Sequence, residues 1–290
     1  MQRRRRPLHK ETPSWRRVVA TTRDYYDSDD ADNFYSRVWG GEDIHIGIYH
    51  AGEEPIAEAS QRTVEAMAEY AGSLGPQTRV LDIGAGYGGS ARFLARRFGC
   101  SVTCLNLSVK QNERNRGLSV EQGLAEQIRV VDGSFEEIPA AENDYDLVWS
   151  QDAILHSARR ERVLAEVQRV LRPGGQMIFT DPMQSDNCPS GRLAAVLARI
   201  HLSSLGSPGF YWEAGARAGF VEFDFQNHSR HLVRHYQRVR SELSARRGEL
   251  EEHVSQAYIG KMIEGLSAWV EAGEQGYLVW GLMRLRKPGS

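Results

Sequence analysis

The segment with the clearest chemical meaning runs Val80-Leu81-Asp82-Ile83-Gly84-Ala85-Gly86-Tyr87-Gly88-Gly89. Apolar strand residues give way to glycines and then to a helix opening near Ser90, so backbone N–H groups can approach a ligand with no Cβ in the way. Two spacings coexist there. Gly84, Gly86 and Gly89 satisfy the dinucleotide pattern GxGxxG, while Gly84, Gly86 and Gly88 fit a tighter one, and the glycines alone leave the ligand open. Asp82, just ahead of the turn, suits a ligand ammonium and would repel a pyrophosphate. About twenty residues further on, where a nicotinamide-cofactor enzyme places an acidic ribose ligand, stands Asn106, whose amide can still bond ribose hydroxyls. Val131-Asp132-Gly133-Ser134-Phe135 offers donors beside an aromatic ring that can bracket an adenine; otherwise Phe135 is a core residue at a turn. His156 carries the side chain best suited to titrate near neutrality.

A sheet has to hold these residues in place. Short β-rich runs at 79–83, 102–105, 128–131, 146–149 and 177–180 alternate with helical stretches, which is the pattern of βαβ units around a parallel sheet. His156 then falls just past the fourth strand, at the carboxyl ends where such sheets bind ligands. Leu171-Arg172-Pro173-Gly174-Gly175 reads as a helix end turning sharply into the fifth strand. Upstream, the pattern predicts a helix over 25–39, a turn at Gly40-Gly41 and a second helix over 54–70. Downstream it predicts helices at 190–204 and 211–218, a strand at 221–225, helical character over 230–272 and a last strand at 276–286. If both late strands join one sheet edge, the helices between them must cap the strand ends. The expected architecture is a Rossmann-like α/β fold: a mostly parallel seven-stranded sheet with helices on both faces, an N-terminal helical lid and a C-terminal helical cap. Its expected parts are lid helices over 24–75, a ligand-binding core over 76–228, the cap over 229–275 and the last strand over 276–287. The Arg-rich start, 1–23, is expected to be a disordered tail.

The 290 residues, 41% hydrophobic and 26% charged, suffice for one α/β domain with embellishments. No apolar run approaches the roughly 20 residues of a membrane helix, and Met-Gln-Arg-Arg-Arg-Arg lacks the apolar stretch of a signal peptide, so a cytoplasmic protein is expected. Cys100, Cys104 and Cys188 are odd in number and lack CxxC or Cys/His ligand spacing, which argues against a disulfide framework and a zinc site; no metal is expected. A formal charge of -2 and a pI near 6.5 leave no footprint for a nucleic acid backbone. The expected partner is a small molecule, with neither nucleic acid nor membrane, for a monomer or homodimer.

Several strings are more selective than the glycine turn: Tyr25-Tyr26-Asp27-Ser28-Asp29-Asp30-Ala31-Asp32, Trp39-Gly40-Gly41-Glu42-Asp43-Ile44-His45-Ile46-Gly47, Trp149-Ser150-Gln151-Asp152-Ala153-Ile154-Leu155-His156-Ser157 and Thr180-Asp181-Pro182-Met183. With them, nearly everything from Tyr25 to Lys287 resembles the glycine-betaine branch of the class I S-adenosylmethionine-dependent methyltransferases, the sarcosine/dimethylglycine N-methyltransferases. The resemblance implies an enzyme that methylates sarcosine or dimethylglycine to glycine betaine, an osmoprotectant, with S-adenosylmethionine as donor and S-adenosylhomocysteine as product. It implies cofactor contacts from Tyr35, Trp39, Asp82, Gly84, Ala85, Gly86, Asn106, Leu107 and Gln111, an adenine site at Gly133, Ser134 and Phe135, and Gln151 at the methionine end. The segment from Tyr25 to Gly47 would fold over the cofactor. Two departures bear on the acceptor: the chain is nearly neutral, and it uses Arg almost everywhere, keeping Lys only at 10, 110, 261 and 287. Residues 26–39 and 152–156 also resemble phosphoethanolamine methyltransferases, which keeps a phosphobase, another small amine or a natural-product acceptor as the alternative.

Methyl transfer to an amine is an in-line displacement that needs aim more than covalent help, since orientation supplies roughly 7 to 11 kcal/mol. Tyr26 and His156 are the expected catalytic pair, either moving the acceptor's proton or only latching the lid. A quaternary ammonium product suits aromatic faces, and Tyr25, Tyr26, Tyr35, Trp39, Tyr211 and Tyr236 are candidates, with Met183 as a soft neighbour. The acceptor carboxylate needs a cation; Arg199, Arg234 and Arg37 are candidates, and His235 shares their ambiguity.

Overall fold

The computed structural model describes residues 20–289 except Thr22, Tyr25, Gly40 and His201. Most of the Arg-rich start, together with the candidate aromatic Tyr25, lies outside the described residues. The chain passes through α1 (Asp29–Phe34), a π-helical turn (Tyr35–Trp39) and α2 (Ile56–Ala71) before entering the sheet. It then passes through β1 (Arg79–Ile83), α3 (Gly89–Phe98), β2 (Ser101–Asn106), α4 (Val109–Glu121), β3 (Ile128–Asp132), β4 (Tyr145–Gln151), α5 (Arg160–Val170) and β5 (Leu171–Thr180), the expected alternation failing only between β3 and β4, where a loop takes the helix's place. The remainder is β6 (Met183–Gln184), α6 (Ala194–Arg199), α7 (Pro208–Ala218), β7 (Glu222–Asn227), α8 (Ser229–Ala245), α9 (Arg247–Leu250), α10 (Gln256–Glu274), β8 (Leu278–Val279) and β9 (Gly281–Arg286).

Seven strands lie in the order β3-β2-β1-β4-β5-β9-β7, with β9 antiparallel to both its neighbours and the first five strands parallel. The sheet is the one expected. Its register sets the site: Asp82 pairs with Cys104 and Trp149, Asn106 with Asp132 and Gln151 with Thr180, so Asp82, Asn106 and Gln151 share one carboxyl edge. Strand sequences such as Val80-Leu81-Asp82-Ile83, buried at every position, are continuous because helices cover both faces.

The helices follow their caps and stripes. Ser28, Ser108, Ser207 and Ser255 each accept a hydrogen bond from a first-turn amide, and Pro208 occupies the first turn after Ser207. In α2 the buried residues Ile56, Ala59, Ser60, Thr63, Val64, Met67, Ala68 and Ala71 recur at helical spacing. That stripe packs with Val80, Leu94 and Trp149 against the sheet, so α2, expected in the lid, belongs to the sheet's core. The lid segment that remains, with Phe34, Val38, Trp39 and Ile46, shares a core with Leu232, Tyr236, Leu266 and Trp269 of the cap.

Several element boundaries differ from the expectation. The helix foreseen over 25–39 becomes a short α1 that widens into a π turn, and the one foreseen over 190–204 contracts to α6. Helical character over 230–272 divides into α8, α9 and α10. The turn expected at Leu171–Gly175 is an excursion within β5: pairing jumps from Tyr145↔Leu171 to Leu147↔Gln176, with Gly174 at φ +76°. The final strand splits, because β8 pairs with β6 in a separate ribbon before β9 joins the sheet.

Between β8 and β9 lies fully buried Trp280, whose Nε1–H donates to Asp152 Oδ1 at 2.8 Å. Asp152 also accepts from the Ile46 amide at 2.7 Å and donates its own amide to the Thr180 carbonyl at 3.0 Å, holding φ +49°. One carboxylate therefore joins the lid, the end of β4 and the closing strand. Removing a donor from a buried carboxylate costs about 2 kcal/mol. Trp280→Phe should accordingly lower the urea midpoint at an unchanged denaturant slope; an unaltered midpoint would show that the bond carries no stability.

Candidate active site

At the carboxyl edge the glycine turn closes tightly. A Cβ on Gly84 would stand 2.3 Å from the Ala153 Cβ, and Gly86 and Gly88 hold φ +54° and +77°, a region costly for other residues. The Gly84 and Ala85 amides both donate to the Leu105 carbonyl, at 2.7 and 3.4 Å. These two N–H groups, expected to face a ligand, instead pin the turn to β2, and the turn's contribution is its shape.

A cleft runs along this edge. Its main branch is lined by Gly84, Gly86, Asn106, Leu107, Ser108, Gln111, Ser134, Phe135, Glu136 and Gln151, and a smaller branch reaches Asp82, Ala85, Ser90, Asp43 and His45. The Asp82 carboxylate makes no hydrogen bond or ion pair among the described residues, and burial pushes it up to about 7, His45 opposing the shift and Asp43 adding to it. Burial acts to lower the His45 imidazole, but the Asp43 carboxylate 3.6 Å away turns the net shift upward. Gln151 accepts through Oε1 from the Ser90 hydroxyl and from Trp149 Nε1, while its Nε2 is buried with no partner. Asn106 donates to Gln111 Oε1 at 3.0 Å. The cleft thus presents a buried carboxylate and a spare amide donor at one end, and a polar rim with an aromatic ring at the other.

A second cavity lies between lid and cap. Five aromatic residues form a continuous wall, with ring centroids 5.6 Å apart for Tyr26 and Tyr35, 5.3 Å for Tyr35 and Trp39, 6.0 Å for Trp39 and Tyr236, and 4.8 Å for Tyr236 and Trp269. Tyr26, Ile44, Asp152 and His156 line both this cavity and the cleft. The Tyr26 hydroxyl lies 3.0 Å from His156 Nε2, with the rings edge to face. Burial, assisted by the Arg160 and Arg199 cations, lowers the His156 imidazole to about 4. Burial raises the Asp152 carboxyl.

Most residues singled out from the sequence converge here. Tyr35 and Trp39, expected at the cofactor, line the aromatic cavity instead, because the π turn carries them toward the cap. Gly133 lies beside the cleft rather than in its wall; a Cβ there would meet Leu105 at 2.9 Å. Three expected acceptor contacts line neither space. Met183 is fully buried in the sheet core, Tyr211 is buried with its hydroxyl on Asp181 at 2.6 Å, and His235 stands behind Trp39 with Nδ1 taken by the Gly47 amide and the Tyr49 hydroxyl. Arg37 and Arg234 also lie outside the cavity, whereas Arg199 lines it. Sequence reasoning missed Asp152, Trp269, Asp43 and His45. Asp152 stood inside a selective string, but Trp269 sits in a long apolar helical face where a cavity aromatic and a core aromatic look alike. No His, Cys, Asp or Glu group suited to a metal occurs among the described residues, and Cys100, Cys104 and Cys188 are free thiols.

Residues 81–179 match a family model described as a methyltransferase domain, and with the sheet order above they define a methyltransferase of Rossmann-like fold. The chain is 55% identical to a sarcosine/dimethylglycine N-methyltransferase of Halorhodospira halochloris, over 93% of this chain and 97% of that one. It is 54% identical to one of Aphanothece halophytica, over 93% and 98%. A crystal structure from Galdieria sulphuraria, assigned as a sarcosine dimethylglycine methyltransferase, superposes with a TM-score of 0.87 at 44% identity, covering 92% of this chain and 100% of that one. The chain belongs to the sarcosine/dimethylglycine N-methyltransferase family.

Proposed function

We propose that the protein methylates the nitrogen of sarcosine or dimethylglycine to give glycine betaine, with S-adenosylmethionine as donor and without a metal. The observation that carries this reading is the pair of spaces sharing Tyr26, Ile44, Asp152 and His156: one walled by Asp82, Asn106 and Gln151, the other by five aromatic rings. The cofactor fits the first. Asp82 would take its ammonium, Gln151 Nε2 its carboxylate, Asn106 its ribose, and Ser134 and Phe135 its adenine, with Leu107 and Gln111 completing the rim. When bound, the cofactor supplies an electrophilic methyl carried on a sulfonium.

The chain's own residues supply aim, charge balance and exclusion of water. Aromatic faces stabilise the methylated ammonium by about 2 kcal/mol each when desolvated. Asp152, fixed by Trp280 and Ile46, places a carboxyl group on the shared wall. Tyr26, held by His156, sets an oxygen there toward the acceptor nitrogen, and the lid and cap core shuts out solvent around it. Incubating the protein with S-adenosylmethionine and a panel of sarcosine, dimethylglycine, phosphoethanolamine and simple amines tests the reading. Mass spectrometry should show one or two added methyl units on the amino acids; turnover of a phosphobase with none of either amino acid would overturn the acceptor.

A further inference from the structure

Two residues that line the acceptor cavity carry N–H donors that the protein itself leaves unused. Arg199 Nε and Trp269 Nε1 are both buried without a hydrogen-bond partner, and both residues line the cavity. Buried donors are almost always satisfied, and neither of these side chains can accept a hydrogen bond, so the missing partner is an acceptor. Arg199 has no ion pair among the described residues, and its Nη2 meets Met262 Sδ at 3.9 Å. Its guanidinium lies 6.0 Å from the Tyr236 ring and 5.9 Å from the Trp269 ring, a geometry that holds a cation against the aromatic wall without neutralising it. Asp152, the cavity's carboxylate, is engaged instead by Trp280 and the Ile46 amide.

We infer that Arg199 and Trp269 form a carboxylate site, which makes this cavity select zwitterionic N-methylated amino acids over amines of the same shape that lack the anion. The inference rests on the acceptor reading above and assigns its specificity to named side chains. Gly265 is the positioning residue. A Cβ there would stand 2.2 Å from Arg199 Cδ and 2.8 Å from Cγ, so the Arg199 stem crosses α10 through a notch that only glycine leaves open. A charged partner explains the choice of Arg, whose planar fork meets a carboxylate with two parallel N–H bonds, where Lys offers a point charge.

Glycine betaine and choline share a trimethylammonium group and differ at the carboxylate, which makes them a matched pair of probes. Calorimetry on the S-adenosylhomocysteine complex should find glycine betaine bound at least tenfold more tightly than choline. Arg199→Met should weaken glycine betaine about 50-fold, as loss of a charge-assisted pair predicts, and choline less than threefold, while the affinity for S-adenosylhomocysteine is kept. Trp269→Phe, which keeps the ring and removes the N–H, should weaken glycine betaine alone by about tenfold. Gly265→Ala should raise the KM for dimethylglycine about tenfold at constant kcat, since the displaced guanidinium misses the anion without disturbing the nitrogen. A folded Arg199→Met protein that still prefers glycine betaine over choline overturns the site, as does a wild-type protein with no preference between them. Failure of the wild type to methylate either amino acid overturns only the reading it rests on, because the binding comparison needs no turnover.

Discussion

Asp82→Ala should bind S-adenosylmethionine about 100-fold more weakly, the roughly 3 kcal/mol expected when one partner of a buried charge pair is removed. The protein should stay folded, since the Asp82 carboxylate bonds to no described residue and its loss strands no donor. Burial holds the carboxyl at about 7 in the unliganded protein, with Asp43 adding to the shift, so the group is protonated in mild acid and the ligand ammonium must draw it into ionisation. Cofactor affinity should therefore fall about tenfold per pH unit below pH 7, and Asp82→Asn should flatten that dependence between pH 5.5 and 7.5. The linkage to stability has the opposite sign from that of a salt-bridged Asp. A folded pKa above the unfolded one means that the folded state holds an extra proton between about pH 4 and 7, so its stability declines as pH rises through that window and is level beyond it. Unliganded Asp82→Asn should then resist urea better than the wild type at pH 8. Calorimetry and urea titration separate the roles: a residue that merely holds the fold would lose stability in both variants and leave cofactor affinity pH-independent.

The sheet was legible because its signals are local. Each parallel strand is a mainly apolar run five to ten residues long, and a helix separates each from the next except between β3 and β4, which a loop joins; a parallel sheet buried on both faces favours that pattern. Asp82 and Asn106 followed from the same logic, since they stand at the carboxyl ends of β1 and β2, whereas Gln151, at the end of β4, came from the resemblance. What could not be read is where tertiary contact overrides periodicity. Residues 230–272 show one helical rhythm, yet the chain breaks at Arg246 and again over 251–255, so that α8 and α10 fold back on each other around Leu232, Tyr236, Leu266 and Trp269. The same fold-back decides which aromatic residues meet a ligand. Tyr211 and Tyr236 were indistinguishable as tyrosines on amphipathic helices; α7 turns the first onto Asp181 beneath the sheet end, and α8 turns the second into the cavity. Trp39 and Trp269 come together with Tyr236 from three distant segments, a convergence that spacing along the chain does not encode.

His156→Ala should lower kcat about 100-fold, the cost of a reacting group misplaced by about an ångström, while cofactor affinity changes less than threefold. The size comes from orientation rather than proton storage. Burial, with Arg160 and Arg199 nearby, lowers the imidazole to about 4, so His156 is neutral across the range in which the enzyme would be assayed and is a poor resting place for a proton taken from an alkylammonium. A neutral ring can still hold the Tyr26 hydroxyl 3.0 Å from Nε2 and so fix the phenol oxygen on the wall shared by both spaces. Three results follow if the pair acts as one positioning unit. Tyr26→Phe should lose about as much rate as His156→Ala, and the double variant little more than either, because each single change already destroys the same arrangement. His156→Gln, which can keep a polar partner for the phenol, should recover part of the loss. The wild-type kcat/KM should climb steadily between pH 6 and 9 as the acceptor sheds its own proton, with no break belonging to an imidazole. A break between pH 6 and 7.5 that disappears in His156→Gln would instead make His156 a general base, because only a residue that ionises during turnover imprints its own titration on the rate.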